Sequence, residues 1–214
     1  MNSLDGVMVI GLAGQSGAGK STVSCIFVEH GFQLIDADAI SRLVVKRGSH
    51  CLADLRECFS NIILTPNGEL DRKMMASIAF SDCRKKETMN TIMYPYIMGE
   101  ILRMIHHFSQ QNHKLILLDA PTLFESRADD FCDLIISVVA KEETRKQRII
   151  QRDHISEQAA IQRMQAQLSE KFFREHSDIV LENNLGIEEL FNTAHELCMK
   201  MLSYYQDKFG ILVS

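Results

Sequence analysis

The stretch Gly14-Gln15-Ser16-Gly17-Ala18-Gly19-Lys20-Ser21 decides the fold of this chain, because it matches the G-x-x-x-x-G-K-[ST] pattern of phosphate-binding loops. Glycines let a backbone turn tightly and direct its N–H groups at an anion. Lys20 adds a positive charge for the β- and γ-phosphates, and Ser21 adds a hydroxyl for Mg²⁺. The pattern therefore predicts a nucleoside-triphosphate site, and we expect Gly14 to Thr22 to bind ATP.

The residues on both sides of this loop predict a strand before it and a helix after it. Residues 7–12 form a short apolar run, which is typical of a buried parallel strand. After the loop, Val23, Ile26 and Phe27 recur at helical spacing. The order strand, loop, helix is the one that this motif requires, whereas a glycine-rich turn with a chance Lys-Ser pair would not need it.

The composition indicates one globular domain and excludes several functional classes. The chain has 214 residues and a net charge of -5, which argues against a general nucleic-acid or membrane-surface binder. None of the six cysteines forms a C-x-x-C pair, so we expect no zinc site and a reducing, cytoplasmic location. No apolar run is long enough to cross a bilayer. Nothing in the sequence indicates an obligate protein partner.

Four further apolar runs predict the rest of a parallel sheet, at residues 33–35, 114–119, 133–139 and 179–181. Asp119 ends one of these strands, where a carboxylate near Mg²⁺ is expected in phosphate-loop enzymes. Asp36 and Asp38 follow another, and we expect their two carboxylates to face opposite ways. Asp38 then has two interpretations, as a carboxylate of the ligand site or as the N-cap of a helix that begins near Ala39.

The segment 39–111 is predicted to be a helical insertion, because helical patterns fill it and no strand pattern occurs. We expect Pro95 to separate two of its helices. Ser49 and Asp71 are predicted N-caps. The insertion is too long for a simple crossover between neighbouring strands, so we expect it to bind the phosphate acceptor.

The segment 142–175 is rich in cations and has two interpretations. Arg148 and Arg152 lie one turn apart on a predicted helix over residues 142–151, and Ser156 is the predicted N-cap of the next helix. One interpretation is a lid that closes its arginines on ATP, and the other is a solvated pair of helices. A last helix is predicted from an apolar stripe that runs from Ile187 to Tyr205 and includes Phe191.

Taken together, these pieces resemble the dephospho-CoA kinase family, which transfers the γ-phosphate of ATP to the 3′-hydroxyl of dephospho-CoA. The resemblance extends over nearly the whole chain. Its two most specific blocks are Asp36-Ala37-Asp38-Ala39-Ile40-Ser41-Arg42 and Gly68-Glu69-Leu70-Asp71-Arg72. Further matching blocks are Asp119-Ala120-Pro121-Thr122-Leu123-Phe124-Glu125, Gln151-Arg152-Asp153, Arg163-Met164-Gln165-Ala166-Gln167 and Asp178-Ile179-Val180-Leu181-Glu182-Asn183. The chain departs from the family pattern at Tyr94, where His is usual, and at Thr122, where Leu is usual.

The resemblance implies an α/β fold of the phosphate-loop NTPase type, a three-layer sandwich with a five-stranded parallel sheet, a helical acceptor-binding subdomain and a lid. It also implies roles for single residues. Asp38 would be the carboxylate near the acceptor hydroxyl, with Arg42 and Arg72 as further acceptor contacts. Arg148 and Arg152 would belong to the lid, and Asn183 would lie near the adenine of ATP.

These implications make Lys20, Asp38 and Arg152 the expected catalytic residues, with Ser21 and Asp119 near Mg²⁺. Two alternatives stay open at this point. One is a kinase of another small acceptor, such as a nucleoside monophosphate. The other is a nucleotide-dependent switch or transport ATPase, although the N-K-x-D and L-S-G-G-Q motifs of such proteins are absent from the sequence.

Overall fold

The computed structural model describes residues 6–209, with the side chains of residues 80, 208 and 209 left aside. Its strands are β1 (Met8–Gly14), β2 (Gln33–Asp36), β3 (Leu115–Asp119), β4 (Leu134–Val139) and β5 (Ile179–Glu182). Its α-helices are α1 (Lys20–Glu29), α2 (Ala37–Val44), α3 (His50–Phe59), α4 (Arg72–Ser81), α5 (Cys83–Gln110), α6 (Glu142–Asp153), α7 (Glu157–Gln165), α8 (Glu170–His176) and α9 (Ile187–Phe209).

The five strands form one sheet in the order β2-β3-β1-β4-β5, which confirms the predicted α/β fold with a five-stranded parallel sheet. β1 lies at the centre and pairs in parallel with β3 on one side and β4 on the other. The register places Leu12 opposite Asp119 and Gly14 opposite Val138. The carboxyl ends of β1 and β3 therefore bring the start of the phosphate loop and Asp119 to the same edge of the sheet.

The chain divides into two compact units. Among the described residues, 6–35 and 108–209 form one unit, and Asp36–His107 forms the other. In the first unit, α1 packs on α9, and a buried cluster that includes Ile10, Phe27 and Tyr205 joins these helices to β1. The second unit has its own core around Val45, Leu55, Ile63 and Met75.

Three predicted helix caps are confirmed by side-chain hydrogen bonds. Ser49 Oγ accepts from Leu52 N at 3.2 Å, Asp71 Oδ1 from Met74 N at 2.9 Å, and Ser156 Oγ from Ala159 N at 3.3 Å. Each of these hydrogen bonds satisfies an amide that would otherwise lack a partner at the start of a helix.

Two predictions about helices were wrong. Pro95 does not end a helix, since α5 runs through it for 28 residues and buries Ile97, Ile101 and Ile105. The apolar stripe of α9 begins at Leu190, because Ile187 and Phe191 are 69% and 46% exposed. Within residues 6–209, no helix is both long and apolar enough to span a membrane.

Candidate active site

The phosphate loop leaves β1 at Gly14 and enters α1 at Lys20, and its backbone fits only glycine at several points. Gly14 has φ 140°, and a Cβ there would lie 2.4 Å from the carbonyl oxygen of Val138. Gly17 has φ 79°, and a Cβ there would lie 2.7 Å from the carbonyl oxygen of Arg145. The glycines of the motif therefore serve two purposes, since they allow the turn and let β4 and α6 approach the loop closely.

Lys20 and Asp119 form an ion pair at the mouth of the loop, and both side chains are 17% exposed. Ser24 Oγ donates to Asp119 Oδ2 at 2.7 Å, so the carboxylate is held from two sides. Sequence reasoning missed Ser24, although its position one turn after Lys20 puts both residues on the same face of α1. The carboxylate predicted for this edge of the sheet is present, and its partners are the lysine and this serine.

Three arginines of α6, at positions 145, 148 and 152, lie on one face of the helix because their spacing is three and four residues. All three reach the phosphate loop. Arg148 Nη1 donates to the carbonyl oxygen of Gly17 at 3.3 Å, and Arg152 Nη2 lies 3.4 Å from Ser16 Oγ. The cationic face of α6 is therefore not wholly in solvent, since Arg145 is buried and Arg148 is half-buried against the loop.

Arg145 is the third member of this row, and sequence reasoning assigned it no role. It is 5% exposed, and its Nε donates to the carbonyl oxygen of Ser16 at 3.1 Å. Its Nη2 donates to Gln167 Oε1 at 3.2 Å, and the same oxygen accepts from Ser16 N at 3.1 Å. Arg145 and Gln167 thus hold both polar groups of the Ser16 backbone.

Burial lowers the pKa of the Arg145 guanidinium, although arginine keeps its charge in proteins. Within residues 6–209, no carboxylate forms an ion pair with it. A buried cation that lacks an ion pair raises the electrostatic potential around it and favours an anion nearby. The phosphate loop is the segment that this charge touches.

Asn183 connects the end of β5 to the same loop. Its Nδ2 donates to the carbonyl oxygen of Ala18 at 2.8 Å, and its Oδ1 accepts from Arg148 Nη2 at 3.2 Å. The side chain is therefore buried between α6 and the loop, at 4% exposure. The structure brings together Asn183, Arg148 and the loop, as the sequence analysis grouped them.

Gln15 is also buried, at 5% exposure, and its Nε2 donates to the carbonyl oxygen of Leu168 at 3.0 Å. Its Oε1 is buried without a hydrogen-bond partner in the described part of the chain. The expectation for Gln15 was contact with ATP. The structure directs its side-chain amide at Leu168, and contact of Gln15 with ATP stays a prediction.

Arg152 and Arg163 share one carboxylate. Asp153 Oδ1 accepts from Arg152 Nε at 2.8 Å, and Asp153 Oδ2 forms an ion pair with Arg163. The hydrogen bond and charge of Arg152, with a smaller effect of Arg163, lower the pKa of Asp153 to about 2. α6 and α7 are thus joined across the turn at His154 by a charged cluster.

In the second unit, the structure excludes one of the two interpretations of Asp38, the N-cap, and its role at the ligand site stays a prediction. β2 ends at Asp36, and α2 begins at Ala37. Asp36 is the N-cap, since its Oδ1 accepts from Ala39 N at 3.0 Å. The interpretation of Asp38 as the N-cap is therefore wrong. The expected alternation is wrong as well, because residues two apart on a strand share a face and because Asp38 is an exposed residue in the first turn of α2.

Arg42 lies one helical turn after Asp38, at the end of α2. Arg72 is the first residue of α4, directly after the cap Asp71. Both arginines are exposed and line one groove of about 500 Å³ in this unit. The two predicted acceptor-binding arginines are therefore neighbours in space, although thirty residues separate them in the sequence.

The comparisons with known proteins agree with this arrangement. The profile of the family described as dephospho-CoA kinase matches residues 8–189. A dephospho-CoA kinase of Fusobacterium nucleatum is 36% identical over 192 residues, which cover 90% of this chain and 97% of the relative. A dephospho-CoA kinase of Arabidopsis thaliana is 36% identical over 182 residues, covering 85% of this chain and 78% of the relative.

Solved structures show the same fold. A protein of Thermus thermophilus has a TM-score of 0.77 at 25% identity, covering 91% of this chain and 98% of its own. The dephospho-CoA kinase of Campylobacter jejuni has a TM-score of 0.68 at 22% identity, covering 90% and 96%. With the family profile over most of its length and relatives above one-third identity, the chain belongs to the dephospho-CoA kinase family.

Proposed function

We propose that this member of the dephospho-CoA kinase family transfers the γ-phosphate of ATP to the 3′-hydroxyl of dephospho-CoA, with the phosphate loop and the arginine row of α6 as its ATP site. One observation carries the assignment of the site. Arg145, Arg148 and Arg152 all contact the Ser16–Gly17 part of the loop, and Lys20 lies at its other end. Four cations around one loop suit the charge of a triphosphate.

In this proposal Lys20 changes partners when ATP binds. The ammonium group that pairs with Asp119 follows the β- and γ-phosphates, while Asp119 stays hydrogen-bonded to Ser24. Arg148 and Arg152 neutralise charge on the transferring phosphoryl group. Asn183 is assigned to the adenine side of the site, through its position between Ala18 and Arg148.

The residues near Lys20 suit Mg²⁺ as the cation of the triphosphate. Ser21 offers a hydroxyl oxygen in the first turn of α1, and Asp119 offers a carboxylate at the end of β3. Within residues 6–209, no group of three His, Cys, Asp or Glu side chains could hold a metal by itself. That donor set suits a cation that also binds phosphates and water, as Mg²⁺ does. When bound, Mg²⁺ would neutralise charge on the β- and γ-phosphates.

The acceptor is assigned to the unit Asp36–His107. A hydroxyl is a weak nucleophile at neutral pH, so a carboxylate that orients it or accepts its proton accelerates transfer. Asp38 is proposed for this role, because Asp36 already caps α2 and leaves Asp38 unneeded as the cap. Arg42 and Arg72 are proposed as acceptor contacts, and the segment 142–175 as a lid over ATP.

The test is conversion of dephospho-CoA to CoA by the purified protein with ATP and Mg²⁺, followed by mass spectrometry. We expect the acceptor to gain one phosphate, and nucleoside monophosphates offered in parallel to stay unchanged. The matched control is Lys20→Ala, which removes the charge near the γ-phosphate and should abolish turnover. Phosphorylation of a nucleoside monophosphate in place of dephospho-CoA would contradict the proposal.

A cytoplasmic location is part of the same proposal. All six cysteines carry free thiols, as expected in a reducing compartment. Burial raises the pKa of both Cys51 and Cys198 to about 11, so these two stay protonated. Retention of full activity after prolonged incubation with a thiol reductant would agree with this part of the proposal.

A further inference from the structure

The second unit contains a basic groove, and only two of its four cations have a proposed role so far. Arg42, Lys46, Arg47 and Arg72 line it together with Val45, Leu70 and a single carboxylate, Glu69. Its volume is about 500 Å³. Four cations and one carboxylate line the groove, so it is positively charged although the net charge of the chain is -5.

The cations of the groove are available to a ligand. All four are exposed. Within Asp36–His107, apart from the side chain of residue 80, none of these four forms an ion pair, in contrast to Arg103, which pairs with Glu100. Like charges that lie close together without carboxylate partners repel one another, and an anion bound between them removes this cost.

Backbone and capping hydrogen bonds hold the two backbone segments that carry these cations. On one side, Lys46 N donates to the carbonyl oxygen of Leu43 at 3.2 Å. On the other, Asp71 caps α4 directly before Arg72, and Leu64 pairs with Leu70 across the turn at residues 65–68. The groove is thus lined by side chains on an ordered backbone.

Arg47 links the two sides. A Cβ at Gly68 would lie 3.7 Å from Arg47 Nε, so the guanidinium lies beside the turn that leads to Glu69 and Arg72. The cations therefore surround one space and are not spread along a face. A compact anion with more than one charge matches this arrangement better than an extended polyanion, whose binding needs a long basic stripe.

We propose that Lys46 and Arg47, together with Arg42 and Arg72, bind the diphosphate bridge of dephospho-CoA. This inference rests on the proposed function. The two phosphates of that bridge are the ionised groups of the acceptor at neutral pH, and each phosphate suits charge-assisted hydrogen bonds from lysine and arginine. Val45 and Leu70 offer apolar surface beside them for the neutral part of the acceptor.

The kinetic test uses the double variant Lys46→Ala/Arg47→Ala, neither residue of which is assigned to the phosphate transfer itself. We expect its KM for dephospho-CoA to rise at least tenfold, while kcat at saturating acceptor and the KM for ATP stay within twofold of wild type. The matched control is Arg56→Ala/Lys73→Ala, which removes two exposed cations of the same unit that lie outside the groove and should leave all three constants unchanged.

Binding of inorganic pyrophosphate separates this inference from the proposed function, because it needs no turnover. The phosphate loop is first saturated with a non-hydrolysable ATP analogue, and pyrophosphate is then titrated by calorimetry. Wild type should bind it, and Lys46→Ala/Arg47→Ala should bind it at least tenfold more weakly. Equal affinity of the two proteins, or an equal loss of affinity in Arg56→Ala/Lys73→Ala, would contradict the proposal that the groove binds a diphosphate. Failure of wild type to phosphorylate dephospho-CoA would contradict only the proposed kinase activity.

Discussion

Replacement of Arg145 by methionine tests whether the buried layer behind the phosphate loop sets the affinity for ATP. Methionine keeps an unbranched side chain of similar length but removes the charge and all donors. The substitution deletes the hydrogen bonds to the Ser16 carbonyl oxygen and to Gln167 Oε1, which measure 3.1 and 3.2 Å. The Ser16 part of the loop then loses the side chain that fixes its carbonyl.

The size of the effect follows from these contacts. A hydrogen bond from a charged donor contributes about 1.5–3 kcal/mol, and only the bond to Ser16 acts directly on the loop. Without that bond the loop has to be fixed by ATP binding at the same cost, which weakens the affinity about 10- to 150-fold. Stability should change much less, because removal of a buried cation without an ion pair offsets part of the lost hydrogen bonding.

The assay is calorimetric titration with ATP and Mg²⁺, beside thermal melts of the free protein. Arg174→Met is the matched control, since Arg174 also makes two contacts, to Glu170 and Glu182, but at the surface. It should leave ATP affinity unchanged and alter stability by at most about 1 kcal/mol. An Arg145→Met protein that melts normally and binds ATP within threefold of wild type would refute the reasoning.

Three further predictions concern the charged residues around the site. Arg152→Ala should lower turnover at saturating ATP while the thermal melt stays within a few degrees, because its ion pair with Asp153 is exposed. Asp38→Asn should lose about a hundredfold or more in kcat without a change in the thermal melt. Asp36→Ala should lower the free energy of unfolding, measured with denaturant, by about 1 kcal/mol, because the helix loses its N-cap. The folded-state pKa of Asp153 is lowered to about 2, so the ionised carboxylate stabilises the fold above about pH 4, and this contribution is lost as pH falls towards 2. Asp153→Asn should therefore lose less stability than wild type between about pH 4 and pH 2, as measured by unfolding at each pH.

The phosphate loop and the strands were predictable from sequence because their signals are local. A glycine pattern requires a particular backbone, and a short apolar run between turns requires a buried strand. The row on α6 was predictable in part, since spacing indicated two of its three arginines, Arg148 and Arg152. Arg145 obeys the same spacing, but its burial against Ser16 depends on tertiary packing that a single sequence does not display.

The errors have physical reasons as well. Proline inside a helix removes one hydrogen bond and costs about 3 kcal/mol, so Pro95 was predicted to separate two helices. The helix continues because Met89, Ile92, Met93 and Tyr96 pack on the core of the second unit and outweigh that cost. Asp38 was taken as a possible cap because the helix was expected to begin near Ala39, whereas it begins two residues earlier. The backbone hydrogen bonds set this start, and with it which aspartate precedes the helix.

The strand order also dictates when the phosphate loop becomes complete during synthesis. β1 leaves the ribosome early, yet its partners follow more than a hundred residues later, as the pairs Met8 with Leu115 and Ile10 with Leu134 show. Asn183, which supports Ala18, emerges later still, about 10–30 s after the loop at ordinary translation rates. In that interval Asp36–His107 has its whole sequence outside and builds its core from its own residues. The helical unit of the nascent chain would therefore fold before the nucleotide site is complete.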